Sequence, residues 1–153
     1  MITHFDNQYR FLSNFWPVQI KDKEGLVFPS VEHAYQACKC RDKSQRAQFT
    51  EPTMSSVQAK QLGRKVMLRP DWSYLRLNVM RRLLELKFAP GSELAEKLLA
   101  TGEEILVEGN TWHDNFWGRC SCRNCRGKGI NNLGQLLMER RAALRRAHQP
   151  VAS

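Results

Sequence analysis

Residues 28–39 read Phe-Pro-Ser-Val-Glu-His-Ala-Tyr-Gln-Ala-Cys-Lys. Phe28-Pro29 closes an extended segment, and Ser30 is a good N-cap because its hydroxyl can accept from the first free helical amides. The spacing predicts a helix with two unlike faces. Val31, Ala34 and Cys38 make a small apolar side, while Glu32, Tyr35, Gln36 and Lys39 share another. At about 100° per residue, Glu32, Gln36 and Lys39 fall within roughly 60° of arc. A carboxylate in the first turn, an amide above it and an amine two turns up can therefore line one wall of a cleft, and the helix dipole favours the carboxylate there. The same pattern also describes a solvated polar face, and the stretch alone does not choose.

Upstream, residues 9–16 are aromatic, with Arg10, Ser13 and Asn14 interrupting the rings, which reads as a loop or a short strand. Residues 17–21 and 26–28 bracket Asp22-Lys23-Glu24-Gly25, a hairpin pattern in which glycine supplies the positive φ. Downstream, residues 41–49 continue the helix or turn away from it, and Pro52 breaks it. Ser55 or Ser56 caps a second helix over 57–66 that contains Gly63, where a close approach would offset the helix cost of about 1 kcal/mol. Lys60 and Arg64, one turn apart, read either as two cations on one side or as exposed basic residues. After the turn at 69–72 comes a helix over 73–88 with a broad apolar face, then a Ser92-capped helix ended by Gly102. Residues 104–108 read as a strand. A last helix starts at Asn131 or Asn132 and carries Arg140 on its apolar stripe, so that side chain must snorkel or meet a partner.

The whole is one α+β domain over 1–147, predominantly helical with a small sheet or hairpin, and residues 148–153 are a frayed tail. A chain of 153 residues can bury a real core, and its 42% hydrophobic and 25% charged content is ordinary for a globular domain. No apolar run approaches a membrane span of about 20 residues. The amino terminus lacks the basic and apolar regions of a signal peptide, so a cytoplasmic protein with no membrane partner is expected. Five cysteines, an odd number, fit reduced thiols better than a disulfide framework. The net charge of +9 suits phosphates on a small ligand or a nucleic acid, although arginines 140, 141, 145 and 146 also complement a helix C-terminus.

Residues 110–118, Asn-Thr-Trp-His-Asp-Asn-Phe-Trp-Gly, combine flat apolar surfaces with polar groups. They read as a binding loop or as an aromatic plug under the core. Cys120, Cys122 and Cys125 form a C-x-C-x-x-C cluster. A structural zinc would need a fourth ligand from His113 or from Cys38 and Cys40. The alternative is reduced thiols without a metal, made reactive by Arg119, Arg123 and Arg126. No metal or other cofactor is assigned, and the three clustered cysteines are the weak candidates for one.

A set of motifs runs along nearly the whole chain: Phe11-Leu-Ser-Asn14-Phe, the 28–39 stretch, Ala59-x-x-Leu-Gly63-Arg64, Leu68-Arg69-x-Asp-Trp72, Val79-Met80, Lys87-Phe88, Leu98-Leu-Ala-Thr101-Gly, Asp114-x-x-Trp117-Gly118 and Asn132-Leu-Gly134-x-Leu-Leu-Met138. In order and spacing it resembles the YbiA-like, or NADAR, family. The resemblance implies a compact, mostly helical α+β fold and an N-glycosidase. Members of this single-domain type cleave phosphoribosylamino-pyrimidine intermediates of riboflavin biosynthesis, releasing the base and ribose 5-phosphate. Other members remove ADP-ribose from modified guanine in nucleic acid.

Carried onto this chain, the resemblance makes Glu32, Lys39 and Asp114 the catalytic candidates. Glu32 would stabilise positive charge at C1′, and Lys39, with its pKa lowered by burial, would attack C1′ and open the ribose as a Schiff base. Trp72 and Trp117 would flank the base, Arg64 and Arg69 would take phosphate, and Asn14 and Asp114 are candidates for ribose hydroxyls or base edges. Tyr35, Gln36 and Gly118 complete the expected substrate-binding set. Two rival functions stand beside the pathway-intermediate glycosidase: an ADP-ribosyl hydrolase acting on guanine, and a zinc-stabilised nucleic-acid-binding module using the cysteine cluster and the terminal arginines.

Overall fold

The computed structural model describes residues 1–148. The fold is α+β and mostly helical, with six α-helices and two small sheets of two strands each among the described residues. Its residues gather into two compact units, one running Asn14–Lys87 and the other made of Met1–Ser13 with the chain from Phe88 onward. No helix among the described residues is long and apolar enough to cross a membrane.

In the first unit, strands β1 (Pro17–Lys21) and β2 (Val27–Ser30) form the expected hairpin. They pair antiparallel with Ile20 opposite Phe28, both buried, so the apolar pair lies on one face. Gly25 takes φ +86° in the connecting turn. The hairpin feeds α1 (Val31–Ala37), whose N-cap Ser30 accepts from the His33 amide. A separate helix α2 (Lys43–Ala47) and a 3₁₀ turn (Gln48–Thr50) follow, so the chain turns off rather than extending α1. Helix α3 (Ser56–Gly63) starts with a reciprocal Ser55–Gln58 capping box and ends at Gly63, three residues before the end read from sequence. The amphipathic α4 spans Trp72–Lys87. Helix α1 packs against both α3 and α4.

Helix α1 is shorter than its side-chain pattern suggests. After Ala37 the chain tightens, with the Lys39 amide on the Gln36 carbonyl at 3.2 Å and the Cys40 amide on that of Ala37 at 3.0 Å. The Lys39 carbonyl then accepts from the Arg69 amide at 2.9 Å, which takes the acceptor that a continuing helix would use. Lys39 therefore sits just past the helix, not two turns up it.

In the second unit, residues Asn7–Leu12 form a 3₁₀ helix where a loop or strand was expected. Helix α5 (Glu93–Ala100) has its Ser92 cap, and Gly102 stops it with φ +64°. It packs on α6 (Asn132–His148), whose Leu133, Leu137 and Leu144 are buried. Residues 104–108 are not a strand. Leu106 makes one isolated bridge to Ile2, a single-residue partner too short to propagate a ladder. The strand comes later, as β3 (Gly109–Asn110) in parallel pairing with β4 (Arg119–Cys120). Helix α6 includes His148, so the start of the expected frayed tail is helical, while residues 149–153 lie outside the described residues.

The basic end of α6 has a structural use. Arg140 meets the partner its position required, donating through Nε and Nη2 to the Phe88 carbonyl at 3.1 and 2.9 Å. Arg141, 5% exposed, donates to Thr101 Oγ1 at 2.7 Å and to the Glu104 carbonyl at 2.8 Å. Arg145 bonds the Gly102 carbonyl and pairs with Glu103 at 2.9 Å. Three of the four terminal arginines thus bind orphan acceptors, two of them at the end of α5.

Candidate active site

The wall anticipated on 28–39 is buried, not solvated. Every residue of α1 is buried, including Glu32 at 7% exposure and Gln36 at 5%. The Glu32 amide donates to the Asn14 carbonyl at 3.0 Å, so the 14–15 segment lies across the start of the helix. One turn up, Gln36 Nε2 donates to Glu32 Oε1 at 2.8 Å, and this fixes the orientation of the Gln36 amide because a carboxylate only accepts. Gln36 Oε1 is then buried with no donor, and so is Asn14 Oδ1, whose amide nitrogen makes only a weak 3.7 Å contact to Met80 Sδ. Buried acceptors without donors are rare, and one of these two belongs to the amide that also holds the Glu32 carboxylate.

Gly63 explains how the amide fits. A Cβ there would lie 1.9 Å from Gln36 Oε1 and 2.5 Å from its Cδ, so the close approach anticipated in α3 is made by a side chain of α1. His33, on another side of α1, is structural. Its Nε2 lies 2.8 Å from the Met54 carbonyl and must donate, so Nδ1 accepts from Ser30 Oγ at 2.7 Å. Burial draws the His33 pKa down, keeping the ring neutral.

Lys39 joins Glu32 electrostatically. Burial draws its ammonium below the usual lysine range; the Glu32 carboxylate opposes this, and Arg64 and Lys60 push the same way as burial. Its Nζ sits 5.8 Å from the centroid of the Tyr35 ring, which in turn packs at 5.1 Å and 56° against Trp72. Gln36 thus contacts Glu32 and Lys39 contacts Tyr35, while Glu32 and Arg64 act on Lys39 through their charge and Asn14 meets Glu32 through its main-chain carbonyl. Trp72 is only 5% exposed, so it backs the Tyr35 ring more than it offers an open face. Arg69 is engaged by its neighbour Asp71, with Nε at 2.7 Å and Nη2 at 3.3 Å from the two carboxylate oxygens. That hydrogen bond holds the Asp71 carboxyl below its ordinary range.

The other candidates lie on the 110–118 loop of the second unit. Asp114 Oδ1 accepts the amides of Phe116 and Trp117 at 3.2 and 2.9 Å, so one oxygen is used to make a turn. Phe116 and Trp117 pack edge to face at 4.8 Å. Gly118 allows a crossing: a Cβ would come within 2.0 Å of the Glu108 carbonyl. Sequence reading missed the residues that shape this loop. Asn110, 2% exposed, accepts from the Trp112 and Asp114 amides and donates to the Asp114 and Arg119 carbonyls. Asn131, at φ +58°, accepts from the Glu108 amide and donates to the Leu106 carbonyl. Their one legible signal is residue type, since Asn tolerates positive φ and carries both donor and acceptor.

Of the possible fourth partners for the cysteine cluster, His113 is the one gathered with Cys120, Cys122 and Cys125. Cys38 is a burial-raised thiol, with its pKa pushed to about 11, and Cys40 is fully buried.

Comparison with known proteins agrees with the sequence motifs. The family model described as the NADAR domain matches residues 2–145. The chain is 37% identical to N-glycosidase YbiA of Escherichia coli (strain K12) over 141 residues, which cover 90% of this chain and 83% of that protein. It is 37% identical over 147 residues to a riboflavin biosynthesis protein of Vibrio vulnificus (strain YJ016), covering 95% of this chain and 38% of that longer protein. The NMR structure of E. coli YbiA superposes with a TM-score of 0.74 at 34% identity, covering 97% of this chain and 87% of the other. With a family match over almost its full length and relatives and a solved structure of the same fold, the chain belongs to the NADAR domain family.

Proposed function

We propose that this chain is an N-glycosidase that hydrolyses the C1′–N bond of phosphoribosylamino-pyrimidines, releasing the base and ribose 5-phosphate. The reaction class follows from kinship with proteins named N-glycosidase; the substrate is the finer reading. It is supported by the small single-domain match over 2–145 and by a second relative named for riboflavin biosynthesis. The observation that carries it is the grouping of a buried carboxylate, two unpaired amide oxygens and an amine whose charged form burial disfavours.

Each part has a task. The base leaves with the bonding pair and takes up a proton, while positive charge gathers on C1′ and the ring oxygen. Glu32, held by Gln36, stabilises that charge. Asn14 Oδ1 and Gln36 Oε1 accept from ribose hydroxyls. Lys39, in the share of molecules where it is neutral, bonds to C1′ through Nζ. The ring C1′–O bond then breaks, the ring oxygen gains a proton, and a Schiff base results. Water adds to C1′, the Lys39 bond breaks, and free ribose 5-phosphate departs with the amine restored. Arg64 supplies charge for the phosphate; Arg69, paired with Asp71, is the weaker candidate.

The test is direct. Purified protein incubated with the phosphoribosylamino-pyrimidine should release base and ribose 5-phosphate in equal amounts by chromatography. Borohydride added during turnover should leave a reduced sugar adduct on Lys39 by mass spectrometry. Turnover of ADP-ribosylated guanine with none of the pathway intermediate would overturn the substrate reading in favour of its rival. The terminal arginines lend the nucleic-acid readings no support, because Arg140, Arg141 and Arg145 are committed to internal acceptors.

A further inference from the structure

The loop between α5 and α6 lacks the means to hold its shape by packing. Across residues 111–130 only Gly118 and Cys120 are buried, and strands β3 and β4 are two residues each. So short a ladder is not stable by its own hydrogen bonds. Yet the stretch turns sharply, with positive φ at His113, Arg126, Gly127 and Gly129.

At its centre four side chains converge. One ligand atom each from His113, Cys120, Cys122 and Cys125 lies within 4.8 Å of all the others. His113 Nδ1 is 3.4 Å from Cys125 Sγ and 3.4 Å from Cys122 Sγ. In a regular tetrahedron with metal–sulfur bonds of about 2.3 Å, ligand atoms stand roughly 3.8 Å apart. The observed spacing needs contraction of about 1 Å at most. The backbone has the folded-back form that C-x-x-C ligation requires: the Arg126 amide bonds the Cys122 carbonyl at 2.9 Å and the Gly127 amide that of Cys120 at 2.7 Å.

We propose that His113, Cys120, Cys122 and Cys125 bind one zinc ion as a closed structural site that ties residue 113 to the 120–125 turn. Three sulfurs and one imidazole nitrogen are a soft, tetrahedral donor set, which selects zinc over hard cations. All four positions are filled by the protein, so no water is held for catalysis. The outer shell fits as well. The His113 amide points at Cys120 Sγ from 3.3 Å and Asn115 Nδ2 at Cys125 Sγ from 3.5 Å, donors that steady thiolate charge. Three thiolates and a neutral imidazole around Zn²⁺ leave one negative charge, and Arg119, Arg123, Arg126 and Lys128 lie along the same turn to balance it. The metal supplies the cross-link that burial does not, and the segment it closes is the one carrying Asp114 and Trp117.

The experiment measures metal, not turnover, so it stands apart from the glycosidase reading. Full-length protein from zinc-supplemented cells, purified without chelator, should carry about one zinc per chain by elemental analysis. The zinc-free protein titrated with cobalt(II) should give the intense visible bands of a tetrahedral thiolate complex, saturating near one equivalent. Cys122→Ser and Cys125→Ser should weaken zinc affinity in chelator competition by more than the ~10–100-fold typical of outer-shell losses. Cys38→Ser should leave affinity unchanged. A pale octahedral cobalt spectrum in the wild-type chain, zinc held equally by the Cys122→Ser/Cys125→Ser double variant, or a native disulfide among these cysteines by alkylation and mass spectrometry would each overturn the site. The wild-type spectrum decides even if a variant fails to fold.

Discussion

Residues 28–39 and residues 110–131 both collect polar side chains, but they hold them by opposite means. In the first stretch the backbone is satisfied by a hairpin and a capped helix. Side chains are therefore left over: Gln36 Oε1 within the stretch, and Asn14 Oδ1 on the segment that crosses the start of its helix, are buried with nothing donating to them. In the second stretch the two-residue strands satisfy little, so Asn110 and Asp114 spend their side chains on main-chain groups of the loop itself, and Asn131 on the Glu108 amide and Leu106 carbonyl just before it. A polar residue is available for chemistry where the surrounding backbone is self-sufficient. Where it is not, the same residue types serve as structure.

The largest expected effect tests the first half of that contrast. Lys39→Ala and Glu32→Gln should each lower single-turnover base release by about 10²–10³-fold, or roughly 3–4 kcal/mol of barrier, with little change in melting temperature. A wild-type rate in Lys39→Ala would remove the amine from the mechanism. Asn110→Ala tests the other half. It deletes four hydrogen bonds from a residue only 2% exposed, so equilibrium unfolding should show a loss of about 2–4 kcal/mol. If its stability were unchanged while activity vanished, the loop would be a site in its own right and the contrast would fail.

A smaller effect separates rate from stability at one residue. Gly63→Ala drives a methyl into Gln36 Oε1, and only the end of a side chain has to yield. Gln36 should swing off Glu32, cutting kcat by about tenfold, or 1.4 kcal/mol, whereas the helix gains up to about 1 kcal/mol from the lost glycine. Slower and no less stable is the expected signature; an equal loss of both would show that the glycine only serves packing.

The finest prediction concerns pH. The Arg64 cation disfavours the Lys39 ammonium and so lowers its pKa. Arg64→Gln removes that push, the amine stays protonated to higher pH, and the rising limb of the kcat profile should move alkaline. A limb that stays in place would place the titration elsewhere.

The sequence by itself determined the local grammar. Ser30, Ser55 and Ser92 act as caps, Gly25 and Gly102 turn the chain with positive φ, and the periodicity of 73–88 marks α4, because each depends on groups within a few residues. It also put Glu32 and Gln36 on one face, and their 2.8 Å hydrogen bond is the i, i+4 contact that helical spacing implies. Only the tertiary structure decided where α1 ends, since the acceptor on Lys39 is claimed by Arg69 thirty residues on. It also decided that residues 104–108 are no strand, that Arg140 reaches the Phe88 carbonyl, and that His113 joins the three cysteines. Those outcomes rest on donors and acceptors distant along the chain. Periodicity reports which face a side chain occupies but not which group will arrive to meet it.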